Sequence, residues 1–350
     1  MIDEIIKFLA TKMAVESVVS NMSGVIIKGK LYEPIEQTII DIKEYTKQYD
    51  YTPFFNKEGD YHTILLALLP KIYDRPKVWL NLLLFILTMF TTLLAGAFNS
   101  GANPFEKFSD ILMGIPFSFS LMSILTCHEL GHYFVSKKEG MVTTLPYFIP
   151  VPFHFLGTFG AIIKMKSIVP SRKALLKVGM AGPICGFLVA FIISIIGIAL
   201  SEVKVTAASG SYLKLGDSIL FYLLGKIIHP SIPADADIFL HPMAFAGWIG
   251  FLVTAMNLIP IGQLDGGHIA YSLLLKKQKI LYIPVILLLI GFGILWQGWI
   301  IWGFLAFILA RKEPLLQDTM TPLSKKEKFY ALLPLIVLIL TFIPQPFSIL

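Results

Sequence analysis

The sequence is poor in charged residues and in cysteine, and each shortage excludes a class of protein. Only 15% of its 350 residues are charged, whereas a soluble chain of this length usually carries about a quarter. A hydrophobic content of 55% and a mean hydropathy of +0.73 also exclude a disordered chain. The two cysteines, Cys127 and Cys185, both lie in apolar stretches, which excludes a disulfide scaffold. We therefore expect a polytopic α-helical membrane protein with a polar segment in front.

Residues 1–75 form that polar segment, and we expect them to fold as a small α+β domain. They hold 9 Lys/Arg and 11 Asp/Glu, and charged residues interrupt their only early apolar stretch, so we predict no signal peptide. The patterns predict helix, strand, helix, strand and strand, at 2–20, Val25–Leu31, a helix with Pro34 in its first turn, Thr52–Phe55 and Tyr61–Leu68. Because about 75 residues give a modest core, we expect this domain to depend partly on the membrane part.

Residues 76–350 form the predicted membrane-embedded domain, with six to seven spans. A bilayer demands about 20 apolar residues for one helical span. The predicted spans are Val78–Ala97, about 108–135, Ala174–Leu200, Pro242–Leu258, Ile280–Ile294, Trp299–Ala310 and Phe329–Ile343. The segment from about 140 to 170 is apolar but too interrupted by proline and glycine for a spanning helix, so we predict a re-entrant loop or hairpin there.

The distribution of basic residues predicts the orientation in the membrane. With residues 1–75 in the cytoplasm and seven alternating spans, the inner loops hold 15 Lys and Arg and the outer loops hold 4. The net charge of +6 is therefore a topology signal and predicts no nucleic-acid partner. The start of the chain is not rich in Arg and Ser, which favours a prokaryotic cell membrane over a chloroplast.

The sharpest chemical feature is the run His-Glu-Leu-Gly-His at residues 128–132. Helical residues four apart share one face, so His128 and His132 can bind one metal ion. Glu129 lies about 100° around the helix, where it can reach water at the ion without being a ligand. The alternative is a pair of structural histidines beside a paired glutamate. Cys127 points to another face and is interpreted as a small packing residue.

Two histidines leave a zinc site incomplete, so a third ligand must come from elsewhere. Asp265 is the best candidate, because it lies in the unusual run Asn-Leu-Ile-Pro-Ile-Gly-Gln-Leu-Asp-Gly-Gly at residues 257–267. Pro260 and Gly262 break the predicted span just before it, and ions bind at broken helices in membranes. The alternative is that Asp265 only caps the following helix. His268 is a candidate partner of Asp265 or, less favoured, a direct ligand.

The two motifs together resemble the site-2 protease family, the intramembrane zinc metalloproteases of the peptidase M50 kind. That family pairs H-E-x-x-H on one span with N-x-x-P-x-x-x-L-D-G on a later one, and both patterns are present here. Stretches at 150–163, 181–186 and 241–248 are similar to the branch containing the chloroplast "ethylene-dependent gravitropism-deficient and yellow-green" proteins and their prokaryotic relatives. The resemblance covers roughly residues 75–330.

The resemblance implies a role for each matching residue and one Zn²⁺ per chain. His128, His132 and Asp265 would be the metal ligands, and Glu129 the catalytic acid and base. Asn257 matches an asparagine that holds substrate or oxyanion; the alternative is that it satisfies the broken backbone. The segment 157–166 matches a strand or loop beside the active site whose free edge can pair with an unwound substrate.

The implied function is regulated intramembrane proteolysis, in which transmembrane protein substrates are cleaved near the cytoplasmic face of the lipid bilayer. The main alternative is a zinc-binding membrane scaffold without proteolysis, and a transporter is the second. The sequence leaves homo-oligomer formation open.

Overall fold

The computed structural model of the protein describes residues 2–21, 24–70, 77–205, 213–233, 236–310 and 313–349. The described helices are α1 (Ile2–Lys12), α2 (Ile35–Lys47), α3 (Val78–Asn99), α4 (Ile115–Lys138), α5 (Arg172–Ala199), α6 (Ile219–Ile228), α7 (Pro242–Asn257), α8 (Asp265–Leu274), α9 (Lys279–Phe292), α10 (Gly298–Leu309), α11 (Lys325–Tyr330) and α12 (Leu332–Thr341). The described strands are β1 (Met13–Asn21), β2 (Gly24–Leu31), β3 (Tyr51–Glu58), β4 (Tyr61–Leu68), β5 (Tyr147–Pro150), β6 (Thr158–Ile162), β7 (Glu202–Val205), β8 (Leu213–Leu215), β9 (Ala236–Phe239) and β10 (Phe347–Ile349).

The N-terminal segment folds as an α+β unit with one more strand than the sequence predicts. Its sheet is antiparallel in the order β1-β2-β4-β3, and α1 and α2 pack on it through Ile5, Leu9, Ile39 and Ile42. The predicted helix over 2–20 is wrong beyond Lys12, because Met13–Asn21 pairs with β2 along its whole length. Pairing with a neighbouring strand is a non-local contact, and it overrides the local helical spacing. The predicted boundary at residue 75 lies outside the described residues.

A strand-like stretch near the end of the chain joins this N-terminal sheet to the rest of the protein. The backbone N–H of Phe55 on β3 donates to the carbonyl of Gln317 (2.8 Å), and the N–H of Thr319 donates back to Phe55 (3.2 Å). On its other side, Gln317 donates to the carbonyl of Val169 (2.9 Å). The side chain of Met320 completes the contact by packing against the core of the N-terminal unit. The N-terminal unit therefore shares backbone hydrogen bonds with the membrane part.

The membrane part contains three helices that are long and apolar enough to cross a bilayer: Val78–Asn99, Phe108–Lys138, in which a short 3₁₀ turn precedes α4, and Arg172–Ala199. The remaining predicted spans correspond to the shorter helices α7, α9, α10 and α12, of 16, 14, 12 and 10 residues. The helical, apolar build is that of a membrane protein. Of the six to seven predicted spans, three meet the length criterion within the described residues.

The predicted loop or hairpin between 140 and 170 is an antiparallel hairpin of β5 and β6. It follows α3 from one end to the other, since polar side chains of α3 donate to its carbonyls at three levels. These bonds are Asn81 to Pro146 (2.8 Å), Thr91 to Gly157 (2.6 Å) and Asn99 to Phe155 (2.8 Å). Asn81 and Asn99 are separated by about 27 Å along the helix axis. Gly157 has a φ of +73°, and a Cβ there would meet the Thr91 carbonyl at 2.4 Å, so this contact requires glycine.

Short strands close the opposite end of the helices from the N-terminal unit. β7 pairs with β9, and β10 near the end of the chain pairs with β8. The indole N–H of Trp248 on α7 donates to the carbonyl of Gly216 beside β8 (2.6 Å). These contacts fix the end of the bundle at which α3, α5 and α12 terminate.

Candidate metal centre

Two helices bring the three predicted ligands together. His128 and His132 lie one turn apart on α4, and Asp265 is the first residue of α8. The histidine Nε2 atoms are 3.2 Å apart, and each lies 3.2 to 3.3 Å from a carboxylate oxygen of Asp265. Both histidines are buried. Within the described residues this is the one group of three such side chains whose ligand atoms all lie within 4.8 Å of one another.

The spacing of these donor atoms fits a tetrahedral zinc ion. Zinc binds histidine nitrogen and carboxylate oxygen at about 2.0–2.1 Å, and a tetrahedron with such bonds has edges of about 3.3 to 3.4 Å. The observed separations are close to that edge: 3.2 Å between the two Nε2 atoms, 3.3 Å from His128 to Oδ2 of Asp265 and 3.2 Å from His132 to Oδ1 of Asp265. Two imidazoles and one carboxylate are also a donor set that zinc uses in hydrolytic sites. The residues present therefore fit zinc and leave a fourth position open.

Helix α5 shapes the wall against which the two histidines lie. A Cβ at Gly182 would be 2.0 Å from Nε2 of His132, and a Cβ at Gly186 would be 3.1 Å from the ring of His128. The carbonyl of Val178 lies 2.9 Å from Nδ1 of His132, so it accepts the proton there and leaves Nε2 free to bind a metal.

The supporting residues of α5 are absent from the predicted site, although the sequence contains a signal for them. Val178, Gly182 and Gly186 are four apart, as are His128 and His132, so each histidine of α4 meets one small residue of α5. Matching periods of four on two helices indicate a shared face. In the sequence, residues 181–186 contribute to the family resemblance, but no role at the site is predicted for them.

A non-helical segment between α7 and α8 places Asp265. Residues 258–264 fold back on the first turn of α8, where Gly266 and Gly267 face backbone carbonyls. A Cβ at Gly266 would be 2.0 Å from the carbonyl oxygen of Leu258, and one at Gly267 would be 2.3 Å from that of Gly262. The N-cap position of α8 is taken by Leu264, so Asp265 does not act as the N-cap. Its carboxylate instead points at the two histidines.

Glu129 is buried beside the three ligands without belonging to their group. The backbone of Ile163, just after β6, is close enough to interact with the Glu129 carboxylate. The end of the hairpin therefore borders the metal centre. Ile163 is also absent from the predicted site residues, because its contribution is a backbone group that no side-chain pattern reveals.

The two remaining candidate residues, Asn257 and His268, lie outside the group of three proposed ligands. Asn257 is the last residue of α7, half-buried at the start of the segment that leads to Asp265, and its role with substrate or oxyanion stays a prediction. His268 lies outside the group of three ligands, and its Cβ faces Gly179 of α5. Its Nδ1 is buried without a hydrogen-bond partner among the described residues.

Comparison with known proteins gives one family. The sequence model of Peptidase family M50 matches residues 116–296. The "Probable zinc metalloprotease EGY2, chloroplastic" of Arabidopsis thaliana is 31% identical over 252 residues, which cover 70% of this chain and 44% of that protein. The rice (Oryza sativa subsp. japonica) protein "Probable zinc metalloprotease EGY1, chloroplastic" is 30% identical, over 66% of this chain and 40% of its own length.

A third relative extends the similarity into the N-terminal segment. The "Probable zinc metalloprotease EGY2, chloroplastic" of Oryza sativa subsp. indica is 27% identical over 345 residues, which cover 93% of this chain and 62% of that protein. The chain thus spans about half the length of the curated relatives it matches. No solved structure matches it.

Proposed function

The chain belongs to peptidase family M50, and from that premise we propose that it is an intramembrane zinc metalloprotease that cleaves transmembrane segments of other proteins near the cytoplasmic face of the membrane. The membership confirms the predicted resemblance to site-2 proteases. The observation that carries the proposal is the triangle of donor atoms from His128, His132 and Asp265, with Glu129 buried beside it.

In the proposed reaction Glu129 carries the proton. Zinc, when bound by the three ligands, acts as a Lewis acid that polarises a peptide carbonyl and makes water nucleophilic at neutral pH. The carboxylate of Glu129 takes the proton from the attacking water and gives it to the amine nitrogen that leaves. His132 keeps its Nε2 directed at the site because its Nδ1 proton is held by the Val178 carbonyl. Asn257, at the end of α7, is proposed to hold the substrate backbone or the oxyanion.

The hairpin suits a substrate that arrives as a transmembrane helix and unwinds. A helical peptide bond is shielded by its own hydrogen bonds, so an extended segment must form first. One edge of β6 is paired with β5, and the backbone after β6 reaches Glu129. A substrate segment that added to the other edge of β6 would gain backbone hydrogen bonds and lie next to the metal centre. The length of the hairpin along α3 supports a re-entrant position at membrane depth.

The proposed topology keeps the N-terminal unit on the side where most Lys and Arg lie, which is the cytoplasm in a prokaryotic cell membrane. It keeps seven spans, with the shorter helices α7, α9, α10 and α12 completing them. The relatives reported above are chloroplastic plant proteins, so the comparisons do not support the predicted prokaryotic membrane. One zinc per chain and cleavage that is regulated by an upstream signal also belong to the proposal.

Comparative membrane proteomics tests the proposed function in cells. Cells expressing the wild-type protein should contain fragments cut within transmembrane segments, and cells expressing Glu129→Gln should lack them and accumulate the intact substrates. Glu139→Gln is a matched control, since Glu139 is the C-cap residue that follows α4 and pairs with Lys177 (2.6 Å) outside the group of proposed ligands. Fragments that persist with Glu129→Gln, or that are missing with the wild type, would favour the alternative of a non-catalytic zinc-binding scaffold.

A further inference from the structure

Two helices that carry no ligand hold the segment that carries Asp265. Ile259 and Ile261 lie in this segment, are fully buried, and form one apolar cluster with residues of α9 and α10. The α9 and α10 members are Tyr282, Leu289, Trp299 and Ala306. The segment 258–264 therefore packs on the helices α9 and α10 through this apolar cluster.

Gly262 of this segment makes a close backbone contact with α10. Its φ is +54°, and a Cβ there would be 2.1 Å from the carbonyl oxygen of Leu309 at the end of α10. On the opposite side, the carbonyl of Gly262 faces Gly267 in the first turn of α8. Gly262 is thus held between α10 and α8, only three residues before Asp265. A shift of the backbone at Gly262 would therefore also move Asp265.

A polar pair, Gln278 and Tyr282, lies beside this otherwise apolar cluster. Gln278, which is fully buried, donates from its side-chain nitrogen Nε2 to the hydroxyl oxygen of Tyr282 at 2.7 Å. The backbone N–H of Gly262 approaches the same hydroxyl oxygen. A buried polar group is costly unless it has a partner, and the hydroxyl is a partner for the side-chain nitrogen of Gln278 and for the backbone N–H of the segment together, whereas the Oε1 of Gln278 has none among the described residues. The phenol ring itself packs in the apolar cluster.

We propose that Gln278 and Tyr282 are positioning residues that fix the segment 258–264 and hold Asp265 at bonding distance from the metal. This inference rests on the proposed function, because it assumes a zinc ion at the three ligands. His128 and His132 lie on one continuous helix, which fixes the spacing of their backbone positions. Asp265 is the ligand whose place depends on a non-helical segment, and partners that orient a ligand commonly govern metal affinity.

Tyr282→Phe tests the inference, because it removes the hydroxyl and keeps the ring in the cluster. We expect zinc affinity, measured by chelator competition on the purified full-length protein, to fall about 10- to 100-fold. We also expect the visible absorption of the Co²⁺-substituted protein to weaken and shift, since a displaced Asp265 changes the coordination. Gln278→Met removes only one partner of the hydroxyl, and the same two measurements should change in the same direction by less.

Two variants serve as controls for general loosening. Leu289→Val removes a methylene from the same apolar cluster without touching the polar pair, and Tyr222→Phe removes a hydroxyl from an exposed residue of α6. Both should keep the wild-type zinc affinity and Co²⁺ spectrum, even where Leu289→Val lowers the melting temperature.

The outcomes separate this inference from the proposed function. If the wild-type protein binds no zinc, or if His132→Ala binds it as well as the wild type, the proposed function is wrong. If the wild type binds zinc through His132 and Tyr282→Phe matches it in affinity and Co²⁺ spectrum, the positioning role is wrong. A loss with Leu289→Val as large as that with Tyr282→Phe also overturns it. Should Tyr282→Phe not fold, Gln278→Met decides by the same criteria.

Discussion

Gly182 offers the sharpest structural prediction, because a single added methyl group there would collide with His132, a proposed metal ligand. The Cβ of Gly182→Ala would lie 2.0 Å from Nε2 of His132 and 2.3 Å from its Cδ2. Ordinary contacts to a Cβ begin at 3.4 Å, so the imidazole and α5 must separate by more than 1 Å. The carbonyl of Val178, which also lies on α5, holds the ring against this helix through Nδ1 (2.9 Å), so the ring cannot move away from α5 without losing that contact.

The prediction is informative because Gly182→Ala should weaken the protein's zinc binding, whereas glycine-to-alanine changes in helices are usually favourable. Replacing glycine by alanine inside a helix normally stabilises the helix by about 1 kcal/mol. Here we expect the clash to offset that stabilisation. Zinc affinity should fall about 10- to 100-fold because the orientation of His132 is disturbed, and cleavage should fall about 100-fold because a misplacement of about 1 Å at an active site costs roughly that factor in rate. Zinc content after dialysis against a weak chelator, and cleavage of a transmembrane test substrate, measure the two consequences.

Gly291→Ala is the matched control for Gly182→Ala. Gly291 lies in α9, and a Cβ there would meet nothing within 4 Å. This variant should keep wild-type zinc content and cleavage. Gly186→Ala should fall between the two, because its Cβ would lie 3.1 Å from the His128 ring, a distance that a small shift relieves. Full zinc occupancy and wild-type cleavage in Gly182→Ala would refute the placement of α5 against His132.

Three further predictions follow from other parts of the structure. Asp265→Ala should lower zinc content as strongly as His132→Ala, because either change leaves two protein ligands; full occupancy by metal analysis would remove Asp265 from the site. A reporter that is active only in the cytoplasm should work after Lys138 or Lys312 and fail near Gly210; activity at Gly210 would overturn the topology. The N-terminal sheet should lose stability as pH falls below about 6.5, because burial lowers the pKa of His62 from 6.5, its Nδ1 accepts a hydrogen bond from the N–H of Leu31 (2.9 Å), and the unfolded chain then binds the extra proton. Hydrogen exchange of β2 and β4 amides at pH 7.5 and 5.5 measures this, and equal protection at both would contradict it.

The grouping of His128, His132 and Asp265 was predictable from the sequence because each of its two motifs is a local signal. The spacing of His128 and His132 places both on one helix face, and Asp265 follows a proline and a glycine that interrupt an apolar run. The contacts that support these residues were not predictable in the same way. Gly182 is fifty residues from His132 in the chain, and the bond from Tyr282 to the Asp265 segment depends on how a helical pair folds back.

The same holds for the fold: features set by neighbouring residues were predictable from the sequence, and features set by contacts between distant residues were not. The length of α3 follows from its apolar composition, whereas the path of the hairpin along it depends on side chains at three levels that meet carbonyls 56 to 66 residues away in the chain. The extra strand β1 was missed because valines at helical spacing also suit a strand, and the choice was made by pairing with β2. The helices α9, α10 and α12 are apolar and expose large apolar side chains such as Ile301, but they are shorter than the length criterion for a span, so apolar composition alone does not fix the number of spans.

Cleavage by the purified protein tests the central claim most directly. Wild-type and Glu129→Gln proteins, each with zinc content verified, would be incubated in detergent with a single-span test substrate containing a helix-destabilising residue, and the products would be identified by mass spectrometry. The account predicts cuts within the span by the wild type and a rate at least about 10²–10⁴-fold lower with Glu129→Gln, which keeps its zinc. Equal rates for the two zinc-loaded proteins would contradict it.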